Sequence, residues 1–198
     1  MITFDSKAHI YYNDGAKIFS VTQILKGAGL LDFSMIPPAI LKRASNFGTA
    51  VHMATSLHDK HILDAEKLDS ALVPYLEAQI KFMHDTDAEI LLNEEHLYSK
   101  KYNFVGTPDR ALRINSRIKI VDYKSGNTFN QTTSLQLAGY KVLYNEGKKV
   151  IDKAKDRIAV HLLGDATYKI EPCEDKSDES VFFAALSIHN WRLRHDNN

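Results

Sequence analysis

GTPDRALRINSRIKIVDYKSG, residues 106–126, is the stretch whose reading decides the fold. Ile, Val, Leu and Tyr lie on both sides of Asn115-Ser116, a pair suited to a tight turn, so the stretch reads as parts of two antiparallel strands, 104–114 and 117–123. Asp109 and Asp122 then fall on neighbouring strands, and a short hairpin can bring their carboxylates close. Asp122 and Lys124 are two apart on one strand and share a face. Two nearby carboxylates raise each other's pKa unless a cation lies between them. A hard divalent ion with oxygen ligands, Mg²⁺ or Mn²⁺, answers that need. A lysine alongside can orient or deprotonate a water, or stabilise charge developing on a phosphate. Such a set is equipped for metal-assisted phosphodiester hydrolysis. A cross-strand salt bridge at a sheet surface would use the same residues and is the plain alternative.

Upstream, residues 89–98 read as a third strand of the same meander, joined through Ser99–Asn103. Before it come helices. Residues 9–19 form a hairpin with Asn13-Asp14-Gly15 as the turn, and Ser20 caps a short helix through Val21, Ile24 and Leu25. Pro37-Pro38 precedes a helical stretch from about Ala39; Ala44 to Leu57 reads as a helix broken or restarted near Gly48. A further helix spans Ser70 to His84, with Leu72, Leu76, Ile80 and Met83 at helical spacing. Downstream, Thr132–Asn145 is a helix ended by Gly147. Arg157–Leu163 and Thr167–Glu171 are strands around Gly164-Asp165, and Ser177 to Arg194 is the last helix. The expected fold is α/β, a central mixed five-stranded sheet flanked by helices in the order α-β-β-β-α-β.

The chain has 198 residues, 44% hydrophobic and 25% charged, which suits one domain with a real core. We expect a single domain over 1–198, with the hairpin and helical part at about 1–85. One cysteine, Cys173, excludes a disulfide framework, a zinc ribbon and a four-cysteine iron–sulfur cluster, and suits a reducing compartment. No apolar stretch is long enough to span a bilayer, and the start MITFDSKAHI does not read as a signal peptide. Net charge is zero, yet His96 to Arg157 carries 13 Lys/Arg against 5 Asp/Glu, a net of +8, balanced by −8 over the remainder. A basic middle in a neutral chain is what a phosphate-binding face would produce, and equally what chance clustering on solvated turns would produce.

Four elements recur in a suggestive order: Gly48-Thr49-Ala50-Val51-His52, Gly106-Thr107-Pro108-Asp109, Asp122-Tyr123-Lys124, and Gln136-Leu137-Ala138-Gly139-Tyr140. With Ser20 to Leu25 ahead of them, the chain resembles the PD-(D/E)XK nuclease superfamily over roughly residues 11 to 145. It looks closest to the RecB-like branch, which includes phage and mitochondrial exonucleases. The resemblance implies a restriction-endonuclease-like core and a metal-dependent DNA nuclease, most simply an exonuclease on DNA ends or single strands in recombination, repair or phage replication. A structure-selective endonuclease on the same scaffold and a DNA-binding module with a vestigial site are the rival readings. The intact Asp109, Asp122 and Lys124 speak against the module.

The resemblance also assigns roles. His52, Asp109, Asp122 and the backbone carbonyl of Tyr123 would hold Mg²⁺ or Mn²⁺, and Lys124 would act toward water or phosphate. Gln136 and Tyr140, four apart on one helix face, would hold the attacking water and the scissile strand; a core Tyr140 with an exposed Gln136 is the alternative. Glu94 has the spacing of a further ligand. Glu95 is one position off, and the two point to opposite faces of a strand. Arg43, upstream of Gly48, would hold a phosphate of the substrate or merely cover a helix surface, and Lys100 and Lys101 would touch the DNA backbone or merely form a solubilising turn. No iron–sulfur cluster is expected. The implied partners are DNA and a separate recombinase or single-strand annealing protein, with no membrane association, in the cytoplasm of a bacterium or of a phage-infected cell.

Overall fold

The computed structural model describes residues 2–5, 10–126 and 130–195; of Phe4 only the backbone is described, and His9 of the expected hairpin lies outside the described residues. The chain opens with a three-stranded antiparallel sheet, β1 (Ile2–Asp5), β2 (Ile10–Asn13) and β3 (Ala16–Ile18). The pairing Asn13↔Ala16 leaves Asp14-Gly15 as the two-residue turn, both at positive φ as its type requires. β1 was not expected from the sequence. Ser20 then caps α1 (Val21–Gly27) in a reciprocal capping box with Gln23.

α2 runs unbroken from Pro38 to Asp59, with Pro38 in its first turn. The expected interruption near Gly48 does not occur. A helical glycine costs about 1 kcal/mol, and the C-terminal half of α2 offsets that through bonds to the sheet described below. α3 (Val73–Asp85) buries Leu76, Ala78, Gln79 and Phe82. Ile80, expected on the core face, is exposed, because Phe82 rather than Met83 sets the buried stripe.

The expected three-strand meander is divided. Its first strand splits into β4 (Glu89–Asn93) and β5 (Leu97–Ser99), its second into β6 (Phe104–Gly106) and β7 (Arg110–Ile114). β5 and β6 pair with each other as a separate hairpin, while β4 and β7 join the main sheet. The breaks fall at Glu94, which has φ 49°, and at Thr107-Pro108, where proline offers no N–H for a ladder. β8 (Arg117–Lys124) pairs antiparallel with β7 and parallel with β9 (Asp156–Leu162), and β10 (Tyr168–Pro172) closes the edge. The central sheet is thus mixed and five-stranded, in the order β10-β9-β8-β7-β4. α4 (Gln131–Asn145) lies between β8 and β9 in sequence, and α5 (Asp178–His195) follows β10.

Alternation along β8 sorts the two layers. Ile118 and Ile120 pack with Val21, Ile24, Leu137 and Phe182 of α1, α4 and α5. Val121 and Tyr123 pack with Val51 of α2 and Ala78 and Phe82 of α3. The expected α/β sheet with helices on both faces is the observed architecture. Among the described residues no helix is long and apolar enough to cross a membrane.

Candidate active site

β7 and β8 pair in the register Arg110↔Val121, which sets Asp109, just before β7, beside Asp122. The same strand pair fixes the carboxylate of Asp109: its Oδ2 accepts the backbone N–H of Tyr123 at 2.7 Å. The Tyr123 ring is buried on the opposite side of the sheet, against Phe82 and Met83, so only its backbone reaches the site. Asp122 and Lys124, on one face of β8, form an ion pair of 2.6 Å.

The third contribution comes from α2. His52, Ser56 and Asp59 stand at i, i+4 and i+7 and share a helix face. Each grips a strand end. His52 Nδ1 lies 3.2 Å from Asp109 Oδ1. Ser56 donates from its hydroxyl to the Asn93 side chain at 2.8 Å and accepts from Asn93 Nδ2 on its carbonyl at 3.2 Å. Asp59 takes the Arg110 guanidinium at 2.8 Å and Gln79 Nε2 at 3.0 Å. Arg110, with no exposed surface, also donates to the backbone carbonyl of Asp109 at 2.6 Å and lies over the Tyr123 ring. Nothing in the sequence singled out Asp59, Gln79 or Asn93; they become legible only when α2 and β7 are side by side.

Glu94 follows Asn93 in a left-handed backbone conformation, not within a strand, and its N–H donates to the Asp109 carbonyl at 3.0 Å. That turn aims its side chain inward, while Glu95 is exposed and outside the cavity. His52, Glu94 and Asp109 each present a ligand atom within 4.8 Å of the others. Glu94 is therefore the third member of this trio, and Asp122 stands alongside it, paired with Lys124. Glu94 Oε1 is buried and has no hydrogen-bond partner among the described residues; it lies 4.0 Å from His52 Nδ1 and 3.9 Å from Arg110 Nη1. An imidazole nitrogen, clustered carboxylate oxygens and an oxygen lacking a donor suit a divalent cation.

Burial and proximity pull the titrations in opposite directions. Burial disfavours a protonated His52, but the Asp109 carboxylate outweighs it, and the imidazole pKa rises to about 9. Burial likewise pushes Asp109 up, yet His52 and the more distant Lys124 hold it below the usual carboxylate range. Asp122 goes up, chiefly by burial and with repulsion from Asp109. Glu94 rises for the same two reasons. Burial works against the charge on Lys124, but Asp122 and Asp109 keep it above its ordinary value. Two of the three carboxylates, Asp122 and Glu94, are thus held above the usual range, a situation a bound cation relieves.

These groups line a cavity of about 670 Å³. Gln136 and Tyr140 complete its wall from α4, with Gln136 Nε2 donating to the Tyr140 hydroxyl at 2.9 Å. Tyr140 is at once core and cavity wall, and burial raises its hydroxyl pKa, so it stays protonated. Gly106 explains itself here: a Cβ at that position would meet the Tyr140 ring and Leu143 at 2.8 Å. Tyr11 and His96, not anticipated, also line the cavity, both hydrogen-bonded to the Thr107 hydroxyl at 3.1 and 2.7 Å. The cavity does not include Arg43, exposed on α2, or Lys100 and Lys101 at the tip of the β5–β6 hairpin.

No curated protein matches the chain. Among solved structures, that of SSO0001 is similar at 14% sequence identity over 72% of this chain and 73% of that one, with a TM-score of 0.38. The model of the PD-(D/E)XK nuclease superfamily, whose enzymes use divalent metals, matches residues 72–192, more than half the chain and the whole of its central sheet. By that match, the chain belongs to the PD-(D/E)XK nuclease superfamily.

Proposed function

We propose that the chain is an Mg²⁺- or Mn²⁺-dependent deoxyribonuclease of the RecB-like, phage-type branch, acting as an exonuclease on DNA ends or single strands. The observation that carries this reading is the meeting of His52, Glu94 and Asp109 within 4.8 Å, beside the Asp122–Lys124 pair. In this reading His52, Asp109, Asp122 and the Tyr123 carbonyl hold the ion, joined by Glu94. When bound, the metal supplies Lewis acidity, which lowers the pKa of an attacking water and offsets charge on the phosphate.

The remaining work falls to the chain itself. Lys124 keeps its proton, so it cannot be a ligand; held by Asp122, it orients the water and faces the negative charge that grows on the phosphoryl oxygens. Gln136, steadied by Tyr140, offers its amide to the water or to a phosphate oxygen. Asp109, pinned by the Tyr123 N–H and by Arg110 through its carbonyl, cannot swing away from His52. We place the enzyme in the cytoplasm of a bacterium or infected cell, as one nuclease domain that supplies single-stranded tails to a separate recombinase or annealing protein.

The test is incubation of the purified chain with labelled linear and circular DNA in Mg²⁺, Mn²⁺ or EDTA. Metal-dependent loss of linear DNA while circles survive is the expected result. Cutting of circles would replace the exonuclease by a structure-selective endonuclease on the same scaffold. Binding without cutting in every metal would overturn the enzymatic reading and leave a DNA-binding module.

A further inference from the structure

The C-terminal end of α4 carries a feature that the cavity does not use. The segment KKVIDKAK, residues 148–155, follows that helix directly. It forms a tight loop closed at its base, where Asn145 donates from Nδ2 to the Ala154 carbonyl at 3.0 Å and accepts the Ala154 N–H at 2.7 Å. The β5–β6 tip is docked beside it. The Glu146 carboxylate accepts the backbone N–H groups of Lys100 and Lys101 at 2.9 and 3.3 Å. Two segments far apart in sequence thus present six lysines, Lys100, Lys101, Lys148, Lys149, Lys153 and Lys155, against the two acids Glu146 and Asp152. Six lysines against two acids leave the two segments with a net positive charge.

Between these lysines stand Val150 and Ile151, 77% and 83% exposed. Lysines after a helix C-terminus complement its dipole, which would account for Lys148 and Lys149 alone. It does not account for two apolar side chains held out in water on a loop that is pinned at both ends. Apolar wedges flanked by cations are the equipment of proteins that grip the backbone and minor groove of duplex DNA.

We propose that residues 148–153 and the Lys100-Lys101 tip form a second DNA contact, which grips the duplex at a distance from the bond being cut. This rests on the nuclease reading above and adds to it the class of substrate: duplex DNA that extends beyond the cavity. Nine residues of α4 separate Gln136 from Asn145 at its C-terminal end, about 14 Å of helix, and Lys148 follows just beyond. The helical part of that span is about four base pairs of duplex at 3.4 Å each, so DNA no longer than that cannot fill both places.

The experiment is fluorescence anisotropy in Ca²⁺, which holds DNA without turnover, using duplexes of about 4 and about 30 base pairs over a range of salt. The wild-type chain is expected to bind the long duplex much more tightly. Lys148→Ala/Lys149→Ala is expected to lose at least about tenfold on the long duplex at low salt, with a salt slope shallower by about 1.8 for two phosphate contacts. Val150→Ser/Ile151→Ser, fully on the surface, is expected to weaken the long duplex with its slope unchanged. Wild-type affinity and slope in both variants would overturn the proposal, as would preferential capture of anionic phosphatidylserine vesicles over the long duplex. Failure of the wild-type chain to cut DNA would count against the nuclease reading and leave the binding result standing.

Discussion

Among the described residues, two buried arginine–aspartate pairs tie helices to the central sheet, and they differ in what they hold. Arg110 and Asp59 join β7 to α2 beneath the cavity, at 2.8 Å. Arg157 and Asp178 join β9 to α5 on the other layer, also at 2.8 Å. Arg157 spends its remaining donors on the carbonyls of Ser134 and Asp175, and touches no residue of the cavity. Arg110 spends one on the carbonyl of Asp109 and lies near Glu94. The same interaction is therefore a brace at one end of the sheet and a positioning device at the other. A buried ion pair need not add net stability over apolar packing; what the Arg110 pair adds is the placement of α2, and with it His52.

The comparison sharpens under mutation. The largest effect belongs to the cavity side of the sheet: Asp122→Ala or Lys124→Ala should cut cleavage by at least about a hundredfold with circular dichroism unchanged. Full activity in both would remove the site. Next, Asp59→Ala leaves a buried guanidinium unpaired and should cost about 3–5 kcal/mol. Asp178→Ala should fall near the lower end of that range, since Arg157 keeps two carbonyl acceptors. The contrast lies in the metal. Calorimetric Mn²⁺ affinity, measured on the folded fraction, should drop in Asp59→Ala and hold in Asp178→Ala. Equal affinity in the two variants would erase the distinction.

Smaller effects probe the brace side alone. A Cβ on Gly27 would sit 2.1 Å from His189 Nδ1, so Gly27→Ala should destabilise by about 1–3 kcal/mol through overpacking, with cleavage per folded molecule unchanged. The smallest effect is one of pH. Burial lowers the His189 imidazole below its ordinary 6.5 in the folded chain, so the unfolded chain binds the proton more tightly. Its contribution is complete above about pH 6.5 and is lost as pH falls through the lower folded value. Thermal melts below pH 6.5 should show a slope that His189→Leu reduces.

Much of this was open to reading from the residues. The strands around Asn115-Ser116, the capped helix at Ser20, and the convergence of Asp109 with Asp122 and Lys124 all follow from local rules: a turn flanked by strand formers, a side-chain cap, a period of two. The reading failed where a long-range contact overruled a local preference. Gly48 does not break α2, because His52, Ser56 and Asp59 tie the following turns to the sheet. The meander divides at Glu94 and Pro108, which frees the β5–β6 hairpin to pair by itself and turns Glu94 toward His52.

The sequence by itself determined which side chains are chemically equipped and which elements carry them, because periodicity and turn chemistry act over a few residues. Only the tertiary structure decided the company they keep. Glu94 rather than Asp122 completes the trio with His52 and Asp109, Arg110 and Asp59 lie beneath them, and the tip at Lys100-Lys101 docks beside the segment at Lys148. Glu94 meets His52 across 42 positions, Arg110 meets Asp59 across 51, and Lys100 and Lys148 are 48 apart; at such separations packing and register, not local preference, choose the neighbour.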